Sequence, residues 1–137
     1  MKTIVLGYDD TVQAKHALER TAELARAFQA KVIVVSVAPV LVPAGHGIGP
    51  IDPADPPELH EEQLEHARVL LRERGVEVES RAAVGNPAEM ILDAAQARHA
   101  DLIVVGTREV GLVQRLLGQS VSGAVQRKAH CDVLVVH

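Results

Sequence analysis

The chain has 137 residues, of which 47% are hydrophobic but only 1% aromatic, and its formal net charge is −4. This length predicts a single domain over residues 1–137 and leaves no room for a second full one. Tyr8 and Phe28 are the only aromatic residues, so the sequence lacks both the stacking side chains and the basic balance of a nucleic-acid-binding protein. These features argue against a nucleic-acid partner.

Charge spacing and cysteine content indicate the class of protein. Charged residues make up 23% of the chain and interrupt its apolar stretches, which are too short to span a bilayer. The single cysteine, Cys131, cannot form an internal disulfide, and the apolar run after Met1 is too short for a secretion signal. We therefore expect a globular cytoplasmic protein without a membrane segment.

Five short stretches are predicted to be β-strands. Four are apolar and largely β-branched throughout, and a weaker one alternates: Thr3–Leu6, Val32–Val35, Leu102–Val105 and Val133–Val136, with Val76–Ala83 as the alternating stretch. Strands that are apolar at every position are typical of a parallel sheet covered by helices on both faces.

Each gap between predicted strands holds a helical pattern. Apolar residues recur at 3.6-residue spacing in four segments: Ala14–Phe28, Leu64–Leu71, Ala88–Ala95 and Val121–Ala129. Gly75 stands where a glycine commonly ends a helix, and Asn86, Pro87 and Glu89 fit the N-cap, N1 and N3 positions of the next helix. The alternation predicts a three-layer, doubly wound α/β domain, with two strand orders left open.

The segment from Pro39 to Pro57 is predicted to be irregular. It holds six of the seven prolines and three glycines. A loop of this length is either a functional lid or a surface excursion, and its composition does not choose between them.

A ligand site is expected beyond the carboxyl ends of the strands, where the strand order reverses. The segments that follow the first four strands are residues 7–11, 37–39, 84–86 and 106–111. Asp9, Asp10 and Thr107 partly fit a phosphoacceptor receiver domain. However, the third strand ends without an acceptor aspartate and no lysine follows the fifth, which makes that interpretation the weaker one.

The segment from Gly106 to Gly123 has features of an anion site. Glycines let the backbone approach a phosphate closely, while Ser120 and Ser122 at a helix start offer hydroxyls beside unpaired N–H groups. The same residues fit a plain N-cap at Ser120 and turn-forming glycines equally well. The generic phosphate-loop and dinucleotide-binding motifs do not occur.

Several of these segments resemble the universal stress protein family. The resemblance covers the whole chain and is most specific at residues 100–108, 120–122 and 130–136, with residues 1–18 and 85–89 adding to it. It implies a five-stranded parallel sheet in the order 3-2-1-4-5, the adenine nucleotide alpha hydrolase-like fold. Asp9 and Gly106 would then flank one crevice.

The resemblance also implies a pocket for ATP or AMP, with Mg²⁺ or Mn²⁺ accompanying the nucleotide. It places Asp9 and Val37 against the ribose and adenine, and gives aliphatic walls to the adenine. The residues at the family's contact positions are Gly7, Asp9, Val37, Val105, Gly106, Ser120 and Val121.

Two residues depart from the family's nucleotide motif, which has a glycine, two residues, a glycine, nine residues, then glycine and Ser or Thr. Gly106 and Ser120 match its ends, but Glu109 and Gln119 replace the other two glycines. A carboxylate roughly 5 Å from a phosphate oxygen costs about 1–3 kcal/mol in a partly wet site. The phosphate end is therefore predicted to be weakened, although a bound Mg²⁺ or Mn²⁺ near Arg108 or Arg115 could offset the repulsion.

The remaining titratable residues favour structural roles. His60 and His66 stand six residues apart among glutamates, which predicts a solvated acidic helix rather than a metal site. Cys131 is predicted to be a small buried residue rather than a nucleophile. No residue is assigned to catalysis or to a resident metal.

The last strand, Val133–Val136, becomes a sheet edge in the order 3-2-1-4-5, and an exposed apolar edge favours pairing with another chain. The resemblance likewise implies a homodimer through this strand. We therefore expect a dimeric stress-response protein with an adenine-nucleotide pocket and no turnover. The alternatives are a dimeric interaction module that binds no nucleotide and, more weakly, a slow ATP hydrolase.

Overall fold

The computed structural model describes residues 1–38, 56–107 and 120–137 of the chain. These residues form five strands and four helices in the predicted alternating order: β1 (Thr3–Gly7), α1 (Val12–Phe28), β2 (Lys31–Ala38), α2 (Pro57–Glu73), β3 (Val78–Val84), α3 (Pro87–Ala97), β4 (Leu102–Gly106), α4 (Val121–Lys128) and β5 (Asp132–Val136). In the three described ranges, no helix combines the length and the apolar character needed to cross a bilayer.

The five strands form one parallel sheet in the order β3-β2-β1-β4-β5. This confirms the order that the family resemblance implied. The first strand is central, with Val5 opposite Ile33 of β2 on one side and Ile103 of β4 on the other. The strand order therefore reverses beside β1, which places the expected ligand crevice at its carboxyl end.

Helices cover both faces of the sheet. On one face, Ile4 and Leu6 pack in a buried cluster with α1 and α2. On the other face, Val5 packs with residues of α3 and α4. Because successive side chains point to opposite faces, a central strand must be apolar at every position. The edge strand β3 is less buried, which accounts for its weaker alternating pattern.

The predicted start of α3 and the predicted glycine after α2 are confirmed, but α2 begins at Pro57, the last residue of the segment predicted to be irregular. The Asn86 side chain accepts from the Glu89 N–H at 3.1 Å and caps α3, and Ser120 accepts from the Gly123 N–H at 3.2 Å and caps α4. Gly75 follows α2 with a φ of 75°, in the left-handed region where glycine is favoured.

Two positions of the predicted apolar stripes are exposed. Phe28 is 54% exposed because it is the last residue of α1, where the chain turns through left-handed Gln29 and buries Ala30 instead. Val121 is 38% exposed because it opens α4 beside a cavity rather than over the sheet.

Asp101 ties the start of β1 to the turn before β4. Its Oδ2 accepts from the backbone N–H groups of Lys2 at 2.7 Å and Thr3 at 3.0 Å. These two hydrogen bonds, and then the nearby positive charges, lower the pKa of Asp101 below its ordinary value of 3.8.

The lowered pKa predicts a pH-dependent contribution of Asp101 to stability. The ionised form is favoured by folding, so this contribution is fully present above pH 3.8 and is lost as the pH falls through the lower folded-state value. Denaturant unfolding at about pH 7 and about pH 3 should show a smaller acid-induced loss for Asp101→Asn than for the unsubstituted chain. Exposed Asp93 supplies the matched control, Asp93→Asn. Equal acid-induced losses in all three proteins would contradict the prediction.

Candidate functional site

A cavity of about 180 Å³ opens at the carboxyl ends of β1, β2 and β4. It lies where the strand order reverses, as expected for a doubly wound sheet. Strands and helix starts both contribute to its wall: Gly7, Tyr8, Asp9, Thr11, Gln13, Ala14, Val35, Val37, His60, Pro87, Ile91, Val105, Gly106 and Val121.

The Asp9 carboxylate is oriented by the first turn of α1. Its Oδ1 accepts from the Thr11 hydroxyl at 2.6 Å and from the Thr11 N–H at 3.2 Å. The Thr11 hydroxyl in turn accepts from the Ala14 N–H at 3.1 Å and caps the helix. The Asp9 side chain is thus an ordered hydrogen-bond acceptor at the cavity rim, suited to a ligand hydroxyl.

Tyr8 lies beneath this rim and is almost completely buried. Its hydroxyl donates to Asp10 Oδ1 at 2.7 Å, and Asp10 has a φ of 62°. Burial, followed by the hydrogen bond from Tyr8 to Asp10, raises the pKa of the Tyr8 hydroxyl far above its ordinary value. Tyr8 therefore remains a neutral donor throughout the physiological pH range.

Gly106 is required by packing against a helix. A Cβ at this position would lie 2.6 Å from the Gln13 carbonyl carbon and 2.7 Å from its oxygen, which are backbone atoms. At Gly7 a Cβ would lie 2.7 Å from Ile91 Cδ1, the end of a flexible side chain. The sequence pattern had linked Gly106 to close phosphate approach, whereas the structure also gives it a role in seating α1 on β4.

Three hydroxyls form a chain at the start of α4. Ser120 Oγ and Ser122 Oγ are 2.8 Å apart, and Ser122 Oγ donates to Thr107 Oγ1 at 3.1 Å. Ser120 is an N-cap, as one of the two sequence interpretations required. Hydroxyls beside a helix N-terminus can also hydrogen-bond an anion, so the two interpretations are compatible.

His60 differs from the sequence expectation. It was predicted to lie on a solvated acidic helix, but it is 3% exposed and lines the cavity. His60 precedes Leu64, Ala67 and Leu71 on the same helical stripe, and this spacing was the signal that could have identified it. His66, by contrast, is exposed as predicted.

Cys131 is partly buried. Burial, with smaller contributions from the Asp132 and Asp101 carboxylates, raises the pKa of its thiol. The raised pKa keeps the sulfur in its less nucleophilic thiol form.

The model of the universal stress protein family matches residues 1–137. The chain belongs to this family. It is 35% identical to a universal stress protein of Thermus aquaticus over 98% of both chains. It is also 31% identical to a universal stress protein of Synechocystis, over 98% of this chain and 85% of that protein.

Solved universal stress proteins share the fold. One, crystallised in complex with cAMP, aligns with a TM-score of 0.77 at 30% identity and covers 99% of this chain and 96% of its own. Another, from Archaeoglobus fulgidus in complex with dAMP, aligns with a TM-score of 0.72 at 26% identity over 100% and 98% of the two chains.

Six of the seven residues taken from the universal stress protein resemblance line the one cavity described above: Gly7, Asp9, Val37, Val105, Gly106 and Val121. The seventh, Ser120, is the N-cap of the helix that Val121 begins. The expectation of a purely aliphatic wall is wrong, because Tyr8 and His60 also contribute to the wall. Glu109 and Gln119 lie outside the described residues, as do Arg108, Arg115 and residues 39–55.

Proposed function

We propose that this universal stress protein binds an adenine nucleotide in the cavity beside β1 and acts as a dimeric stress-response regulator. One observation carries the nucleotide proposal: six residues assigned from the family resemblance lie on one cavity wall at the reversal of strand order. Structures of two relatives with the same fold have been solved in complex with cAMP and with dAMP. The proposed compartment is the cytoplasm.

The cavity's chemistry fits the parts of such a ligand. Asp9, already oriented by Thr11, would accept from ribose hydroxyls. The α4 N-terminus, with the Ser120 and Ser122 hydroxyls, would lie at the phosphate. Val37 would lie against the adenine at the β2 side of the cavity.

Binding of the nucleotide's phosphates is proposed to be weakened at this end of the cavity. Glu109 and Gln119 stand at two glycine positions of the family motif, and the carboxylate repels a polyphosphate more strongly than a single phosphate. AMP should therefore bind at least as tightly as ATP. Added Mn²⁺ or Mg²⁺ should favour ATP by screening this repulsion.

Calorimetric titration with AMP and ATP, with and without Mn²⁺, tests the nucleotide proposal. Absence of binding by either nucleotide at concentrations up to about 1 mM would refute it. Glu109 and Gln119 also favour the alternative function, a dimeric interaction module of the same fold that binds no nucleotide. Absence of nucleotide binding would support this alternative.

The double change Glu109→Gly and Gln119→Gly should strengthen ATP binding about 5- to 100-fold, because it removes a repulsion of about 1–3 kcal/mol. AMP binding should change less, since AMP carries fewer phosphates. The affinities come from the same titrations, and Glu89→Gln is the control for removing an exposed carboxylate elsewhere. An unchanged ATP affinity would show that the motif assignment of these two positions is wrong.

The proposal includes no turnover. Ser36 and His60 form a hydroxyl–imidazole pair, with Ser36 Oγ 2.6 Å from His60 Nδ1. Ser36 is completely buried and is absent from the cavity wall, so this hydroxyl is not presented to a substrate as a nucleophile would be. Nucleotide binding would then act by changing the protein's interactions.

The dimer is proposed to form through β5. This strand is at one edge of the sheet and pairs only with β4 among the described strands, and its Val133–Val136 stretch remains partly exposed. Light scattering at micromolar concentration should give a dimer mass for the unsubstituted chain. It should give a monomer mass for Val135→Lys, because a charged edge resists strand pairing.

Val84→Lys, on the opposite edge strand β3, is the matched control and should remain dimeric. A monomeric unsubstituted chain would refute the dimer. If Val84→Lys dissociates the dimer and Val135→Lys does not, the interface lies at β3 and the proposed β5 interface is wrong.

A further inference from the structure

A buried polar pair connects β2 to α2 beneath the cavity. Ser36 Oγ lies 2.6 Å from His60 Nδ1, and Ser36 Oγ also donates to Gln63 Oε1 at 3.4 Å. Ser36 is 0% and His60 3% exposed. Because a buried hydroxyl fixes one nitrogen of the imidazole, the ring is restricted to one orientation against β2.

This ring lies at the end of the cavity away from the proposed phosphate position. The hydroxyls of Ser120 and Ser122 mark the α4 side, whereas His60 enters from the first turn of α2 beside β2. A nucleotide with its phosphate at α4 would extend its base toward β2, α2 and α3.

Side chains at that end are mostly apolar. Among the described residues, β2, α2 and α3 contribute Val35, Val37, His60, Pro87 and Ile91 to the wall. A purine has flat faces that favour contact with a flat aromatic or imidazole ring. The imidazole of His60 can lie against such a face, which aliphatic side chains cannot match in shape.

We propose that His60 contacts the base of the bound nucleotide and that Ser36 is the residue that positions its ring. This inference rests on the proposed function and adds to it a residue for base recognition. Ser36 lies on the face of β2 opposite to Val35 and Val37. Its effect on nucleotide affinity is therefore indirect, through the orientation of the His60 ring.

The first test is AMP affinity. His60→Leu should weaken AMP binding about fivefold or more, the effect of losing one contact between a flat ring and the base, and Ser36→Ala should weaken it less. His66→Leu, at an exposed position on the same helix, should leave AMP affinity unchanged. The double variant Ser36→Ala, His60→Leu removes both buried polar groups, so its folding does not depend on an unpaired hydroxyl.

The second test is a spectroscopic one that a purely structural role would not satisfy. In the unsubstituted protein, saturating AMP should shift the NMR signals of the His60 ring, while those of His66 stay in place. Saturating ribose 5-phosphate, which lacks the base, should shift them much less.

The outcomes separate the two proposals. If the unsubstituted protein binds neither AMP nor ATP, the proposed function fails, and the inference fails with it. If AMP binds and the double variant binds it equally well, or ribose 5-phosphate shifts the His60 signals as AMP does, only the His60 inference is overturned.

Discussion

Replacing Gly106 with alanine should lower the free energy of unfolding by about 3 kcal/mol, at the upper end of the range for overpacked positions. The added Cβ would lie 2.6 Å from the Gln13 carbonyl carbon and 2.9 Å from the Ala14 nitrogen, both backbone atoms in the first turn of α1. A helix start that is anchored by the Thr11 cap cannot move away as a side chain can. Denaturant unfolding without nucleotide measures the effect directly.

Gly7→Ala is the matched control because the two glycines end neighbouring strands. Its Cβ would meet Ile91 Cδ1, which can change rotamer, so the loss should stay below about 1.5 kcal/mol. Equal losses at the two positions would show that α1 shifts as easily as the Ile91 side chain and would contradict the packing role given to Gly106.

Replacing Asp9 with alanine should weaken AMP binding about 10- to 100-fold, since hydrogen bonds to a charged acceptor contribute about 1.5–3 kcal/mol. The substitution removes the carboxylate that Thr11 orients at the cavity rim. Calorimetry gives the affinities. Asp93→Ala, which removes an exposed carboxylate from α3, should leave AMP affinity unchanged.

A ligand without ribose hydroxyls separates direct contact from a local distortion. The 2′,3′-dideoxy form of AMP should bind the unsubstituted protein and Asp9→Ala with similar affinity, because neither complex has the contact. If Asp9→Ala weakens both ligands equally, the carboxylate acts on the loop rather than on the ribose.

Local patterns in the sequence predicted most of the fold. The Val32–Val35 run predicted a strand covered on both faces, and Asn86 with Pro87 predicted the start of α3, because both depend on neighbouring residues alone. The strand order did not follow from such patterns. Either order satisfies the same local rules, and the family resemblance was needed to choose between them.

The candidate site was predictable only where the family resemblance named its residues. Asp9 and Gly106 lie at or just after strand ends and match the family, whereas His60 lies before the apolar stripe that predicts α2 and among glutamates that predict a solvent-exposed helix. The buried His60 ring pairs with Ser36, which lies on the same face of β2 as Val32 and Val34, the face covered by α1 and α2. Pairing of two polar residues 24 positions apart is a tertiary event that neither local pattern contains.

The central position of β1 also constrains the order in which the chain folds. Thr3 pairs with Lys31, which is close in sequence, but Ile4 also pairs with Leu102, and Asp101 binds Lys2 across 99 residues. During synthesis, β1 and β2 can therefore pair early, while the other side of β1 keeps its N–H and C=O groups open until β4 has emerged. Parallel pairing at such separation is slow to form. The half-made sheet, with the apolar strand β1 at a temporary edge, is accordingly the species most exposed to aggregation and to chaperone capture.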